Sequence, residues 1–269
     1  MLQLRSNDGH LCAKLDLAAG ARLASLQVDG LELLVGRDAT NHPFGWGSYV
    51  MAPFAGRLRR GRFSFEGTTY HMPANLDQHA IHGVVFDAVW EVLDTTSHRA
   101  SLSCELGDPW PFAGRIVQEV AVRDGAIEQR LTIAANRPMP ATLGWHPWFR
   151  RQLDRGRPAE LQVDWTSARM YQRDDDYMPT DVLVPVTPGP WDDAFVGVGQ
   201  IKLRWPGALE LRVEHDCSHI IIYDQPAHGL CIEPQSDQPD AFTWAPDRCR
   251  VVPGHPLSRS TTWHVHRVD

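Results

Sequence analysis

Short runs in which apolar and polar residues alternate recur along most of this chain. A period of two marks a strand with one buried face, whereas a helix would repeat every 3.6 residues. Such runs fall at 23–28, 62–65, 90–93, 100–104, 115–122, 127–134, 160–163, 200–205, 209–214, 219–223, 229–233 and 261–267. β-Branched and aromatic residues fill most of them, and Gly, Pro, Asp or Asn stand at their borders as turn formers. No amphipathic helix of three or more turns is readable. The 21 glycines and 20 prolines among 269 residues interrupt the chain too often for a helical bundle or a βαβ alternation. The expected fold is therefore all-β and antiparallel. One hairpin reads directly: residues 61–65, a turn at 66–68, then 69–72, with Phe63 and Phe65 on one face. No linker or fixed-period repeat divides the chain, so one domain over 1–269 is expected, with 173–177 and 185–191 as exposed loops.

Composition narrows the function classes. Hydrophobic residues at 43% and charged ones at 22% allow a sizeable core and exclude a disordered chain. A balance of 26 basic against 33 acidic residues gives −7, the wrong sign for wrapping a phosphate backbone, so no nucleic-acid partner is expected. No run of 18 apolar residues exists, and the first twenty residues carry charges where a signal peptide needs an apolar stretch. The expectation is a cytoplasmic protein with no membrane partner. Cys12, Cys104, Cys217, Cys231 and Cys249 are odd in number and contain no CxxC pair, which reads as reduced thiols. The nearest thing to a metal motif is His264 and His266 on one strand face, without a third ligand.

Chemistry on such a chain must rest on ionisable side chains at loops and strand ends. Five segments stand out. Pro53 to Gly61 is an arginine-rich bend containing Arg57, Arg59 and Arg60. His82 precedes Gly83 at a tight turn. His146 lies between Trp145 and Trp148, its backbone held extended by Pro147. Asp192 and Asp193 follow Trp191. Glu233 ends an apolar strand, an expensive place for a charge unless it is paired or used, which makes it the most conspicuous residue of the chain. Trp46, Trp145, Trp148 and Trp191 lie near these segments and are candidates for stacking on a sugar ring.

In this order and spacing the segments resemble the aldose 1-epimerase, or galactose mutarotase-like, family. The resemblance runs from Asp29-Gly30 through Pro53-Phe54-Ala55-Gly56-Arg57-Leu58 and His82-Gly83. It continues through Gly144-Trp145-His146-Pro147, Asp192 to Phe195 and Cys231-x-Glu233-Pro234 to Val252-Pro253-Gly254. It implies a large antiparallel β-sandwich (supersandwich) with an open cleft on one sheet. It also implies Glu233 as the base on the anomeric hydroxyl, His146 as the acid on the ring oxygen, and Arg57, His82 and Asp192 as groups that bind sugar hydroxyls. Trp148 is the stacking residue added to that set. Two positions depart from the pattern: Val84 stands where many relatives carry a second glycine, and Gly56 where some carry asparagine.

The chemistry suits these residue types. Mutarotation moves one proton from O1 and another to O5, so a carboxylate and an imidazolium suffice, each proton transfer being worth roughly 10²–10⁴ in rate. No cofactor and no metal are expected, and the partner is a small sugar, the protein being a monomer or homodimer. An arginine such as Arg59 or Arg60 reaching the cleft would favour a sugar with an anionic group at C6. A glycoside hydrolase or lyase using Asp192 and Glu233, and a non-catalytic sugar sensor, are the competing readings.

Overall fold

The computed structural model describes residues 1–40, 42–155, 161–167 and 169–267. Two large antiparallel sheets carry the fold, one of eleven strands and one of eight. The eight-stranded sheet runs in the order Glu91–Thr95, Arg99–Leu106, Gly114–Arg123, Ala126–Ala135, Leu257–Arg267, Leu209–His215, Ile201–Trp205, Gln162–Asp164. Most of these strands match the alternating runs within a residue or two. Gln162–Asp164 covers part of the expected 160–163 strand, whose first residue lies outside the described residues. The expected strand at 90–93 is displaced: Trp90 is buried ahead of it, and Glu91–Thr95 is a wholly exposed edge.

The eleven-stranded sheet places at its centre Ser48–Met51, Gly144–Phe149, Leu230–Gln235, His219–Tyr223 and Asp192–Val196, in that order. Three of these five strands, Ser48–Met51, Gly144–Phe149 and Asp192–Val196, carry no alternating pattern. Every residue of Ser48–Met51, Gly144–Phe149 and Leu230–Gln235 is buried. One face of these strands meets the core between the sheets, where Trp145, Phe149, Phe195, Ile220, Ile222 and Ile232 pack with Ile116, Leu131, Leu211 and Trp263. The other face carries a second cluster, including Tyr49, Met51, Trp148 and Cys231, covered by Ala55 and Phe86. With both faces covered, no polar residue is required at alternate positions.

The hairpin forms, Arg62–Phe65 on Thr68–His71, with Phe63 and Phe65 buried; its second strand starts and ends one residue earlier than expected. Its turn uses Glu66 and Gly67, both at positive φ (49° and 78°), the geometry of a two-residue hairpin loop. The longest helix among the described residues is Ala241–Trp244, in keeping with the Gly and Pro content, and no helix is long and apolar enough to cross a membrane. All five cysteines are free and buried.

Residues 185–191 form an irregular, mostly exposed loop, as expected. Residues 173–177 are a loop only in part: Arg173 ends the strand Arg169–Arg173 and donates to Asp193 at 2.6 Å, and Asp174 is drawn in by Arg59.

Candidate active site

Strand pairing assembles the site from segments far apart in sequence. His146 is the cross-strand partner of Tyr49, and Glu233 that of Ile221. Between the His146 and Glu233 strands, pairing holds at Gly144 with Gln235 and again at Trp148 with Cys231, which sets His146 opposite Glu233. Pro147 and Pro234 flank this point and have no N–H to give the ladder. The pleat then sorts the side chains: His146 and Trp148 turn to the cleft while Trp145 and Phe149 turn to the core, and Glu233, Cys231 and Gln235 share the cleft side of their strand.

The cleft has a volume of about 340 Å³, and its lining includes Glu233, His146, Arg57, His82, Asp192 and Trp148, the six residues to which the resemblance and the stacking argument gave roles. At its floor His146 Nε2 lies 3.1 Å from Glu233 Oε1, with side chains only 5% and 4% exposed. Gln235 Nε2 donates to Glu233 Oε2 at 3.1 Å. Tyr49 stacks on the His146 ring, centroids 4.6 Å apart, and His82 meets it edge-on at 4.9 Å. Beneath Tyr49 the buried Arg22 guanidinium sits 4.6 Å from the ring and donates to Trp46 O.

Burial governs the charge state of this floor. It pushes the Glu233 carboxyl well above its usual range, with Asp192 adding to the rise, while Gln235 and Arg57 pull the other way. Burial also pushes the His146 imidazole down to about 3, the Arg22 charge coming second. Acid–base opening of the sugar ring calls for a carboxylate and an imidazolium. Both shifts instead favour the neutral forms, burial being the largest cause of each. The ionic form that ring opening calls for is this pair after one proton has crossed the 3.1 Å between Glu233 and His146. The His82 ring, buried beside His146 and Arg57, is held well below the ordinary histidine range.

The rim is polar and half-buried. Arg57 Nη2 pairs with Asp192 Oδ2 at 3.2 Å, their side chains 26% and 22% exposed. The short strand Arg57–Leu58 pairs with Ala80–Ile81 and so brings Arg57 beside the His82 turn. That turn is constrained: His82 has φ 64° and Gly83 φ 78°, and a Cβ on Gly83 would stand 1.9 Å from Ala52 O. Gly56 likewise has φ 72° with Pro239 against it, so a side chain there would be strained and crowded.

Several expectations are corrected by the packing. Trp148 borders the cleft but is 4% exposed, and the exposed His228 ring stacks on it at 4.6 Å, so the indole does not offer an open platform. Trp145 faces the core, Trp46 lies under the Arg22 guanidinium, and Trp191 packs on Trp165 and Phe195; none of the three lines the cleft. Arg59 is held by Asp174, Asp176 and Asp240, and Arg60 approaches Asp176, so neither supplies a free cation to the sugar site. His264 pairs with Glu214 at 3.3 Å and forms no metal cluster with His266 among the described residues.

Tyr49, Arg22 and His228 had no local signal, because long-range strand pairing and packing bring them in. Gln235 had one: two residues beyond Glu233 in a strand is the same face.

A family model for aldose 1-epimerase matches residues 6–259. The structure resembles that of the GalM/aldose epimerase homologue of Caenorhabditis elegans, with TM-score 0.84, 19% identity and coverage of 100% of this chain and 99% of that one. A galactose mutarotase-like protein of Clostridium acetobutylicum gives 0.83 at 15% identity, covering 97% and 94%. Galactose 1-epimerase of Lactobacillus acidophilus NCFM gives 0.79 at 15%, covering 98% and 93%. In sequence the chain is 26% identical over 144 residues to the uncharacterized protein YihR of Escherichia coli K12. That match takes in 49% of this chain and 46% of YihR, so the chain spans about half the length of this curated relative. Matched over nearly its whole length and folded as its relatives are, the chain belongs to the aldose 1-epimerase family.

Proposed function

We propose that the protein interconverts the α and β anomers of a free reducing aldose by acid–base ring opening, with Glu233 and His146 as the proton-transfer pair. The observation that carries this reading is the buried 3.1 Å contact between them on the cleft floor. O1 and O5 of a pyranose are bonded to the same carbon, so two groups side by side serve both oxygens when the C1 edge of the ring points to the floor. From the ionic form of the pair, Glu233 takes the O1 proton as His146 delivers its proton to O5. The C1–O5 bond breaks and an aldehyde forms. Rotation about C1–C2 and the reverse transfers close the ring on the other face. The pair begins and ends with one proton, and no electrons leave the sugar.

Arg57 and Asp192 hold ring hydroxyls through the donors and lone pairs left free by their own pairing. Among the described residues lining the cleft, Arg57 is the one lysine or arginine, against the carboxyls of Asp77, Asp192 and Glu233. This balance favours a neutral aldose over one with an anionic C6. The hydrolase reading is weaker because Asp192 is engaged by Arg57 and a histidine, not a second carboxyl, faces Glu233.

The test is a panel of freshly dissolved α-D-glucose, α-D-galactose, their 6-phosphates and their methyl glycosides, followed by polarimetry and NMR. Acceleration confined to the free neutral sugars is expected. Release of reducing sugar from a glycoside would replace the epimerase by a hydrolase, and acceleration of no sugar would favour a sensor.

A further inference from the structure

Cys231 stands two residues before Glu233, on the same strand face, and its cross-strand partner is Trp148. It is fully buried, its thiol pushed well above the ordinary range by burial and then by Glu233, and acid–base chemistry on the sugar leaves it without a task. Its Sγ, a His146 ring nitrogen and a Glu233 oxygen lie within 4.8 Å of one another.

We propose that His146, Cys231 and Glu233 form a site for a thiophilic divalent cation, Zn²⁺ foremost, whose binding excludes the sugar and stops turnover. A tetrahedral zinc with bonds of about 2.0–2.3 Å needs ligand atoms about 3.3–3.7 Å apart. The His146–Glu233 contact of 3.1 Å is close to that already, and the sulfur needs to move by no more than about 1.5 Å, within reach of side-chain rotation and strand adjustment. The donor set of one imidazole, one thiolate and one carboxylate selects a borderline or soft ion over Mg²⁺ or Ca²⁺, which take oxygen ligands.

Charge also balances: a dication with a thiolate and a carboxylate is neutral, as a buried site requires. Binding releases the thiol proton and the proton shared by Glu233 and His146, which leaves Nε2 and a carboxylate oxygen as ligands. His146 and Glu233 line the cleft, so a fourth ligand such as water would come from that side. With its proton pair taken by the metal, the floor can no longer open a hemiacetal.

Binding stands independently of the epimerase reading; inhibition rests on it. The experiment combines anomalous diffraction at the zinc edge on wild-type crystals soaked in ZnCl₂ with calorimetric titration of ZnCl₂ into wild type and Cys231→Ser. Anomer exchange is followed with ZnCl₂ and then EDTA. One peak bonded to the three side chains is expected, with at least tenfold weaker binding in the serine variant. Zinc should also abolish exchange, EDTA restore it, and added sugar raise the zinc needed. A peak only elsewhere, no peak, or equal affinity in Cys231→Ser overturns the site. If the serine variant does not fold, the wild-type anomalous map decides alone. A protein that binds zinc at the three side chains but exchanges no sugar keeps the site and loses the epimerase reading.

Discussion

The strands Gly114–Arg123 and Leu230–Gln235 obey the same pleat but have different surroundings. The first belongs to the eight-stranded sheet and alternates between buried and more exposed positions over ten residues, with Ile116, Val120 and Val122 on the core and Arg115, Glu119 and Arg123 toward solvent. The second is buried at all six positions, with Leu230 and Ile232 in the core and Cys231, Glu233 and Gln235 under the cleft. On the solvent face of the eight-stranded, outer sheet, charged side chains such as Arg115 and Glu119 stay in water and cost little, although Gln118 and Gln129 are buried on its other face. In Leu230–Gln235 the polar side chains have been withdrawn from water, so their partners determine their charge and their stability cost. That withdrawal favours the neutral forms of Glu233 and His146 over the ion pair.

Substitutions of similar size should therefore act very differently in the two regions. The largest contrast lies in turnover. Glu233→Gln and His146→Asn should each lower kcat/KM for the best sugar by at least about a hundredfold, with circular dichroism unchanged. Glu119→Gln, at an exposed position of Gly114–Arg123, should leave it untouched. Near-normal turnover in either cleft variant would remove that residue from the proton-transfer pair.

Backbone constraint gives the next contrast. Gly83 and Gly67 share φ 78°, but a Cβ meets Ala52 O at 1.9 Å in the first case and nothing within 4 Å in the second. Gly67→Ala should cost about 1 kcal/mol in urea unfolding, the left-handed strain alone. Gly83→Ala should cost about 3 kcal/mol or more and displace His82 from the cleft. Equal costs would show that the turn yields more easily than its contacts imply.

A smaller effect separates two neighbours of Glu233. Turnover should persist while the pair keeps its one proton and fall as pH rises through the raised Glu233 value. The Gln235 hydrogen bond favours the ionised carboxyl, so Gln235→Met should move this alkaline limb to higher pH. The Asp192 charge opposes ionisation, so Asp192→Asn should move it to lower pH. The kcat/KM–pH profile reads both, and shifts of the same sign would contradict the assignment. Smallest of all, Arg115→Ala removes an exposed ion pair with Glu105 on the outer sheet and should leave Tm and turnover unchanged within error.

The same contrast explains what could be read before the fold was known. The outer sheet announced itself because water on one face enforces alternation. Gly144–Phe149 gave no strand pattern, being buried on both faces and carrying Pro147 in its interior. Glu233 was conspicuous because a carboxyl in an apolar run needs an explanation, and the order of the motifs then supplied His146, Arg57, His82 and Asp192. The stacking role expected of the tryptophans was misleading: neighbours in a strand face opposite ways, so Trp145 beside His146 belongs to the core. His228, which covers Trp148, and Cys231 as a third donor atom depend on distances that no local spacing encodes.

The most direct test of the shared-proton account is the Glu233→Gln/His146→Asn double variant, with α-to-β exchange measured by magnetisation-transfer NMR on the best sugar. Groups that act as one unit lose their contribution once. The double variant should fall within about threefold of the slower single variant. Losses that multiply, so that the double variant is about a hundredfold slower again than the worse single, would show two independent groups and contradict the pair.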